Sequence, residues 1–357
     1  MQTRTHRGAL QIEAELTVIV PVYNAASDLA KCLRALERSS YRRFEVIVVD
    51  DGSTQPIRSL VEGMGYCYLR LDGPMGPGRA RNHGVRKAQT QLIAFVDADV
   101  CVHRDTLARM AQAFDADPAL DAVMGAYDDQ PSDPGHFSQY RNLLHRYTHC
   151  RSAGLATTFW AGCSAIRRDV FLAYGGFDEQ RYRRPAIEDI ELGTWMAADG
   201  RRILLDPAIE GKHLKGWRFW KTIHNDIAKR GVPWVDLMMR SRKAVRTLNL
   251  ARSQRISTAL AMAALGLALA TPVCPIFALG TAVALAVVTM LNRHFYRYLG
   301  LRRGAGFAAR AIPLHWVYFL CCGFSLVLGL IYHWRSSRSS QIAPRRAGSL
   351  VAAGSGS

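Results

Sequence analysis

The 357-residue chain has room for one domain of roughly 200–250 residues and a smaller second part. Its 46 Lys and Arg outnumber 29 Asp and Glu, a formal charge of +17 that calls for an anionic partner: nucleic acid, a membrane surface or phosphorylated substrates. Two uncharged runs, Ile256 to Leu291 and Ala311 to Tyr332 (broken only by His315), exclude a wholly soluble protein and favour an anionic membrane surface over nucleic acid.

Residues 1–14 read as a tail. Arg4, His6 and Arg7 are followed by the mixed "GALQIEAE" and not by an apolar core, so no secretory signal is expected and the next segment should stay in the cytoplasm. Leu16 to Val20 is a β-branched run closed by Pro21, the profile of a buried parallel strand. "SDLAKCLRALERS" has helical spacing, with Leu29, Cys32, Leu33 and Leu36 on one face and Ser27 as N-cap. "FEVIVVDD" is the next strand, "IRSLVEGM" a helix and "YCYLRL" a third strand. The Gly/Pro-rich "DGPMGPG" opens a helix at "RARNHGVRKA", and "LIAFVDAD" is a fourth strand. Strands alternating with helices over short connections predict a mostly parallel α/β sheet covered on both faces. A helix near Thr106–Phe114, a strand near Ala122–Ala126 and the polar "YDDQPSDPG" follow. The eight cysteines are scattered, without a C-x-x-C, and are expected to be buried thiols.

From residue 212 to 255 twelve Lys and Arg face only Asp226 and Asp236, interleaved with Trp217, Phe219, Trp220 and Trp234. That mixture predicts amphipathic helices in the headgroup layer, or else a basic surface packed on the soluble domain, which residues 15–211 would form. The 36 residues from Ile256 would make a helix of about 54 Å, too long for a hydrocarbon core of about 30 Å, and Pro272 and Pro275 interrupt them. Spans at about 256–272, 275–291 and 312–333 are therefore expected, followed by a disordered tail over 334–357. The five Arg of 293–310 and the four of the tail pull the topology after the hairpin in opposite directions.

Ligands of parallel sheets bind beyond the carboxyl ends of the strands. Asp50-Asp51 and Asp97-Ala98-Asp99 end strands at that edge, beside "PVYN", and two carboxylates plus substrate phosphates suit Mg2+ or Mn2+. Either acidic group, taken alone, would also serve as a turn cap.

"VIVPVYN", "VIVVDDGST", "GPGRARNHG", "LIAFVDAD", "GGFDE" and "IEDIEL", in this order over about 15–215, resemble the family 2 glycosyltransferases of the GT-A fold. The resemblance implies a nucleotide-sugar diphosphate donor held by Pro21, Tyr23, Asn24, Asp50, Asp51, Arg79, Arg81, Asn82, Asp97 and Ala98. It implies a divalent cation on Asp99, with His213 either a second ligand or a surface histidine. Asp189, with Glu188 beside it, implies a general base for an inverting displacement; the bland reading is of acids favoured by a helix N-terminus. Trp160, Asp178, Lys215 and Trp217 fall on the acceptor side, Trp160 equally as a core residue. Of a Q-x-x-R-W motif only Trp217 remains, His213 and Gly216 standing for Gln and Arg, which argues against a processive polysaccharide synthase. The implied enzyme sits in the inner (plasma) membrane, multi-pass, its catalytic domain cytoplasmic, with a lipid-linked or membrane-associated acceptor, polyprenyl phosphate among the alternatives. A sugar nucleotidyltransferase and a non-catalytic membrane scaffold are the competing classes; the first would carry its Gly-rich loop where "PVYNAAS" stands.

Overall fold

A computed structural model describes residues 14–241 and 252–337. The tail before residue 14, the basic stretch 242–251 and the tail from 338 onward lie outside the described residues.

Nine strands form one sheet in the order β3-β2-β1-β4-β8-β6-β9-β5, with β7 paired to β9. They are β1 (Leu16–Val22), β2 (Phe44–Asp50), β3 (Cys67–Arg70), β4 (Leu92–Val96), β5 (Val100–Val102), β6 (Ala122–Tyr127), β7 (Gly154–Ala156), β8 (Cys163–Arg167) and β9 (Ile203–His213). The first four are mutually parallel; β6 and β9 run with them, and β5, β7 and β8 run against them. The sheet is thus mostly parallel, as its apolar runs predict.

Side-chain alternation gives β1 two buried faces. Leu16, Val18, Val20 and Val22 pack with Leu29, Cys32, Leu33 and Leu36 of α1 (Ala26–Glu37), and with Met110 and Phe114 of α4 (Thr106–Ala116). Ile19 points the other way, toward Ala80 and Val85 of α3 (Pro77–Lys87), Phe171 of α6 (Arg168–Ala173), and Leu192 and Met196 of α7 (Glu188–Ala198). The remaining helix of the first third is the short α2 (Arg58–Gly63). Gly193 lets α7 approach the chain at Phe159, whose backbone N would lie 2.0 Å from an added Cβ.

α5 (His136–Arg151) covers β6, and α12 (Arg293–Arg303) packs on it through Phe295, Tyr296 and Leu299 against Tyr140, Leu143 and Leu144. β9 runs to His213, so Lys212 and His213 belong to the sheet, paired with Cys101 and Val100, and not to the basic helical segment. That segment is α8 (Phe219–His224), a π-helical turn over 225–231 and α9 (Val232–Ser241). It packs on α13 (Ala305–Ser337), which continues helical through Pro313 and past residue 334. Gly231 and Gly329 permit this contact: an added Cβ would lie 2.1 Å from Ser325 Oγ and 2.5 Å from Val235 Cβ, respectively.

α10 (Arg252–Ala270) and α11 (Ile276–Leu291) form the hairpin expected at Pro272 and Pro275. Among the described residues α10 and α13 are long and apolar enough to cross a membrane; α11 qualifies only together with α12, from which it is bent by 66°. None of the cysteines is in a disulfide, but Cys67 and Cys150 are exposed and so depart from the buried-thiol expectation: both lie on outward faces, at the edge strand β3 and the last turn of α5.

Candidate active site

The parallel strands deliver their carboxyl ends to one edge: Tyr23 after β1, Asp51 after β2, Asp97 after β4, Tyr127 closing β6 and His213 closing β9. A cavity of about 1790 Å³ opens there and continues past α9 to α10 and α13. Pro21, Tyr23, Asp51, Arg81, Asp97, Ala98, Asp99, Trp160, Glu188, Asp189, His213, Lys215 and Trp217 all line it. Thirteen of the eighteen residues singled out in the sequence therefore meet around one space.

The other five do not reach it. Asp50 is fully buried, taking hydrogen bonds from Ser53 N (2.7 Å), Tyr68 Oη (2.7 Å) and Arg70 Nη1 (2.8 Å). Burial works against its charge, but Ser53, Tyr68 and Arg70 together outweigh it and hold the carboxyl below its ordinary range. Asn24, in the left-handed region at φ 49°, braces the turn by accepting from Thr54 N and Thr54 Oγ1. Arg79 turns away to the Asp72 carbonyl. Asn82 fastens α3 to the 177–179 loop, donating to Phe177 O and Glu179 Oε1 and accepting from Phe177 N. Asp178 caps a turn at the N–H groups of Gln180 and Arg181. None of the five lines the cavity, and each makes the contacts within the chain given above.

Asp51 differs from Asp50 although they are neighbours. Its carboxylate accepts from Met75 N (3.1 Å) and Gly76 N (2.7 Å) while lining the cavity. Burial pushes its carboxyl up, partly opposed by those N–H groups. Gly52 (φ 82°) makes this turn possible, since an added Cβ would lie 2.8 Å from Gly73 Cα.

Arg81 is a brace within the site. Buried on α3, it donates to Asp97 Oδ1 (2.5 Å) and Glu188 Oε1 (3.5 Å), joining the end of β4 to the start of α7. Burial, with Asp189 alongside, pushes the Glu188 carboxyl up to about 7, against the opposing charge of Arg81. Asp189 is oriented by two backbone donors, Ala161 N to Oδ2 (3.0 Å) and Ile190 N to Oδ1 (2.8 Å).

Asp99 Oδ2 and His213 Nε2 are 3.6 Å apart, and the His213 ring stacks on Tyr127 at 4.1 Å. The described residues contain no group of three or more His, Cys, Asp or Glu side chains that could hold a metal ion. One carboxylate and the imidazole Nε2 beside it nonetheless fit a cation that takes most of its remaining ligands from substrate phosphates and water.

Sequence reasoning missed the far wall. His145 and His149, one helical turn apart on α5, pack around Trp160 with Tyr127. Arg141 and Arg230 line the same space, as do Arg183 and Arg184 before α7. The i, i+4 spacing in "HRYTH" and the paired Arg ahead of the acidic helix start were the available signals.

The family model described as "Glycosyl transferase family 2" matches residues 17–175. That stretch, a little under half of the chain, is similar to a family 2 glycosyl transferase domain. The domain is 34% identical over 101 residues to glycosyltransferase AglE of Haloferax volcanii, a match covering 26% of this chain and 33% of that protein. The chain is 30% identical over 203 residues to the pre-mycofactocin glycosyltransferase of Mycobacterium tuberculosis, covering 54% of this chain and 41% of that protein. The chain thus spans only about a third to two-fifths of the length of such relatives. A solved mannosyltransferase of Pyrobaculum calidifontis, in complex with GDP-Man and Mn2+, aligns with a TM-score of 0.55 at 20% identity, covering 91% of this chain and 88% of that one. That likeness speaks for the GT-A-like fold around the domain.

Proposed function

We propose that the chain is an inverting, metal-dependent glycosyltransferase. It moves a sugar from a nucleotide-diphosphate donor to a lipid-linked or membrane-associated acceptor at the cytoplasmic face of the inner membrane. The observation carrying this reading is the continuity of one cavity, from the carboxylates at the strand ends to α10 and α13. A soluble acceptor would need no such extension.

In this reading Pro21, Tyr23, Asp51 and Ala98 receive the nucleotide, and Asp97, held by Arg81, faces the ribose. Asp99 and His213 would hold Mg2+ or Mn2+, which when bound would neutralise charge on the departing diphosphate. Asp189, fixed by the Ala161 and Ile190 N–H groups, takes the proton from an acceptor hydroxyl as the new bond forms opposite the diphosphate. Glu188 keeps its own proton near neutrality and so limits the negative charge beside the base. Trp160 and Trp217 wall the acceptor side, and Lys215 stands over the Trp217 ring at 5.2 Å. α8 and α9 lie in the headgroup layer with α10 and α13 crossing the bilayer, so both reactants meet at one boundary.

The test is product analysis with the purified full-length chain, membrane extract and a panel of labelled nucleotide sugars, with and without EDTA. The expected result is release of nucleoside diphosphate in step with sugar transfer, abolished by EDTA and restored by Mn2+. Release of pyrophosphate, the mark of a nucleotidyltransferase, would contradict it.

A further inference from the structure

We infer that the acceptor is anchored by a phosphate seated at Trp217, its lipid chain running along α10 and α13 while a hydroxyl beyond the phosphate reaches Asp189. This rests on the transferase reading and narrows the acceptor to a phosphate-linked lipid.

Three cations surround one indole: Lys215 Nζ at 5.2 Å, Arg141 Cζ at 5.4 Å and Arg230 Cζ at 5.8 Å from the Trp217 ring. The carboxylate paired with two of them is Asp226, 2.8 Å from Arg141 Nη2 and 3.8 Å from Arg230 Nη1. Lys215 also acts on Asp99, so the cations outnumber the carboxylates they face by one. Asp226 comes from the π-helical turn and Arg141 from α5, so the interfacial segment and the glycosyl transferase domain build this group together.

Donors are also left over. Among the described residues Arg141 Nε, on a side chain nine-tenths buried, has no hydrogen-bond partner, and neither do Trp217 Nε1 and Trp234 Nε1. All three side chains line the cavity. A phosphate supplies several acceptor oxygens and the charge that three cations lack.

The rest of the lining selects a lipid. Ala259 and Met262 of α10 and Phe319, Gly323, Leu326 and Val327 of α13 form its apolar wall. Arg255 is the one charged residue these two helices contribute to it. Asp51, Asp97, Asp99, Glu188 and Asp189 line the same cavity, and His213 stands between Asp99 (3.6 Å) and Trp217 (ring centroids 5.7 Å). A phosphate is repelled by these carboxylates and attracted to the cations around Trp217.

Lipid monophosphates and diphosphates share this chemistry, and a titration separates them. The full-length chain in a neutral detergent, without nucleotide, is titrated with farnesyl phosphate, farnesyl diphosphate, farnesol and inorganic phosphate while tryptophan fluorescence is followed. Saturable binding of one or both farnesyl phosphates is expected, the tighter one naming the head, with farnesol and inorganic phosphate at least tenfold weaker. Arg230→Gln and Lys215→Gln, both at solvent-accessible side chains, should each weaken the phosphate probes by about three- to tenfold and leave farnesol unchanged. The inference is overturned if farnesol binds as tightly as its phosphates, if neither variant alters their binding, or if no probe saturates. If the binding pattern holds but no nucleotide sugar labels a lipid, the transferase reading fails and the phosphate site stands.

Discussion

Asp50 and Asp51 share a strand end but not an environment. Asp50 takes hydrogen bonds from Ser53, Tyr68 and Arg70 and never meets the cavity, whereas Asp51 lines it with two backbone N–H groups behind it. Asp50→Asn is expected to cost about 1.5–3 kcal/mol of stability, as loss of a buried charged acceptor does, with donor KM little changed. Asp51→Asn should raise donor KM with the melting temperature nearly constant. Steady-state kinetics and thermal melts of both variants check the pair, and equal kinetic damage would contradict the division. The sequence shows two acids in tandem but not which is committed: Tyr68 and Arg70 lie 18 and 20 residues further along, brought in only by β3 pairing beside β2. Glu188 gives a pH signature. Its folded-state pKa, about 7, lies above the ordinary carboxyl value. Between those two values the native state keeps a proton that the unfolded chain has released, so stability falls as pH rises through this window and levels off above it. Glu188→Gln lacks the effect and should gain in melting temperature relative to the wild type between pH 5 and 8. A pH-independent difference would contradict the assignment.

At the scale of elements, α9 ties the loop before α7 to α13 through Asp236. This carboxylate is buried, accepts from Arg181 Nη2 (2.6 Å) and Arg240 Nε (3.1 Å), and lies 2.8 Å from His333 Nδ1 on α13. Arg240 also reaches Glu191 of α7 at 2.8 Å. Burial opposes the Asp236 charge, but His333, Arg240 and Arg181 together hold its carboxyl low. Removing the charge in Asp236→Asn takes the carboxylate from Arg181 and His333 while Arg240 keeps Glu191, and is expected to lower the melting temperature. An unchanged melt would show that α9 is not fastened there. The strand and helix alternation up to β4 was legible because apolar spacing of two or 3.6 residues marks each element. α5 and β9 were not. α5 buries Tyr140, Asn142 and His149 beside its leucines, and β9 contains Pro207 and a register shift opposite Met124 and Ala126. Neither carries the apolar rhythm that identifies a helix or a strand.

For the whole molecule, the sequence contains the proposed donor end of the site as contiguous motifs, and the proposed acceptor end as scattered residues. Trp217, Arg141, Arg230, Met262 and Phe319 come from separate elements, and only tertiary packing sets them on one wall. The same packing sets Arg141, Lys215 and Arg230 around Trp217 in the cavity that Asp51, Asp97 and Asp99 line at the strand ends. The central claim is that one cavity serves a nucleotide sugar at one end and a membrane acceptor at the other. The most direct measurement incubates the full-length chain, reconstituted in vesicles containing membrane lipid extract, with labelled nucleotide sugars and divalent cation, and then partitions the products. The account predicts label in the organic phase, lost in Asp189→Asn by roughly 10²- to 10⁴-fold, the range for removing a general base. Label released only as free sugar, or carried only by water-soluble acceptors, would contradict it.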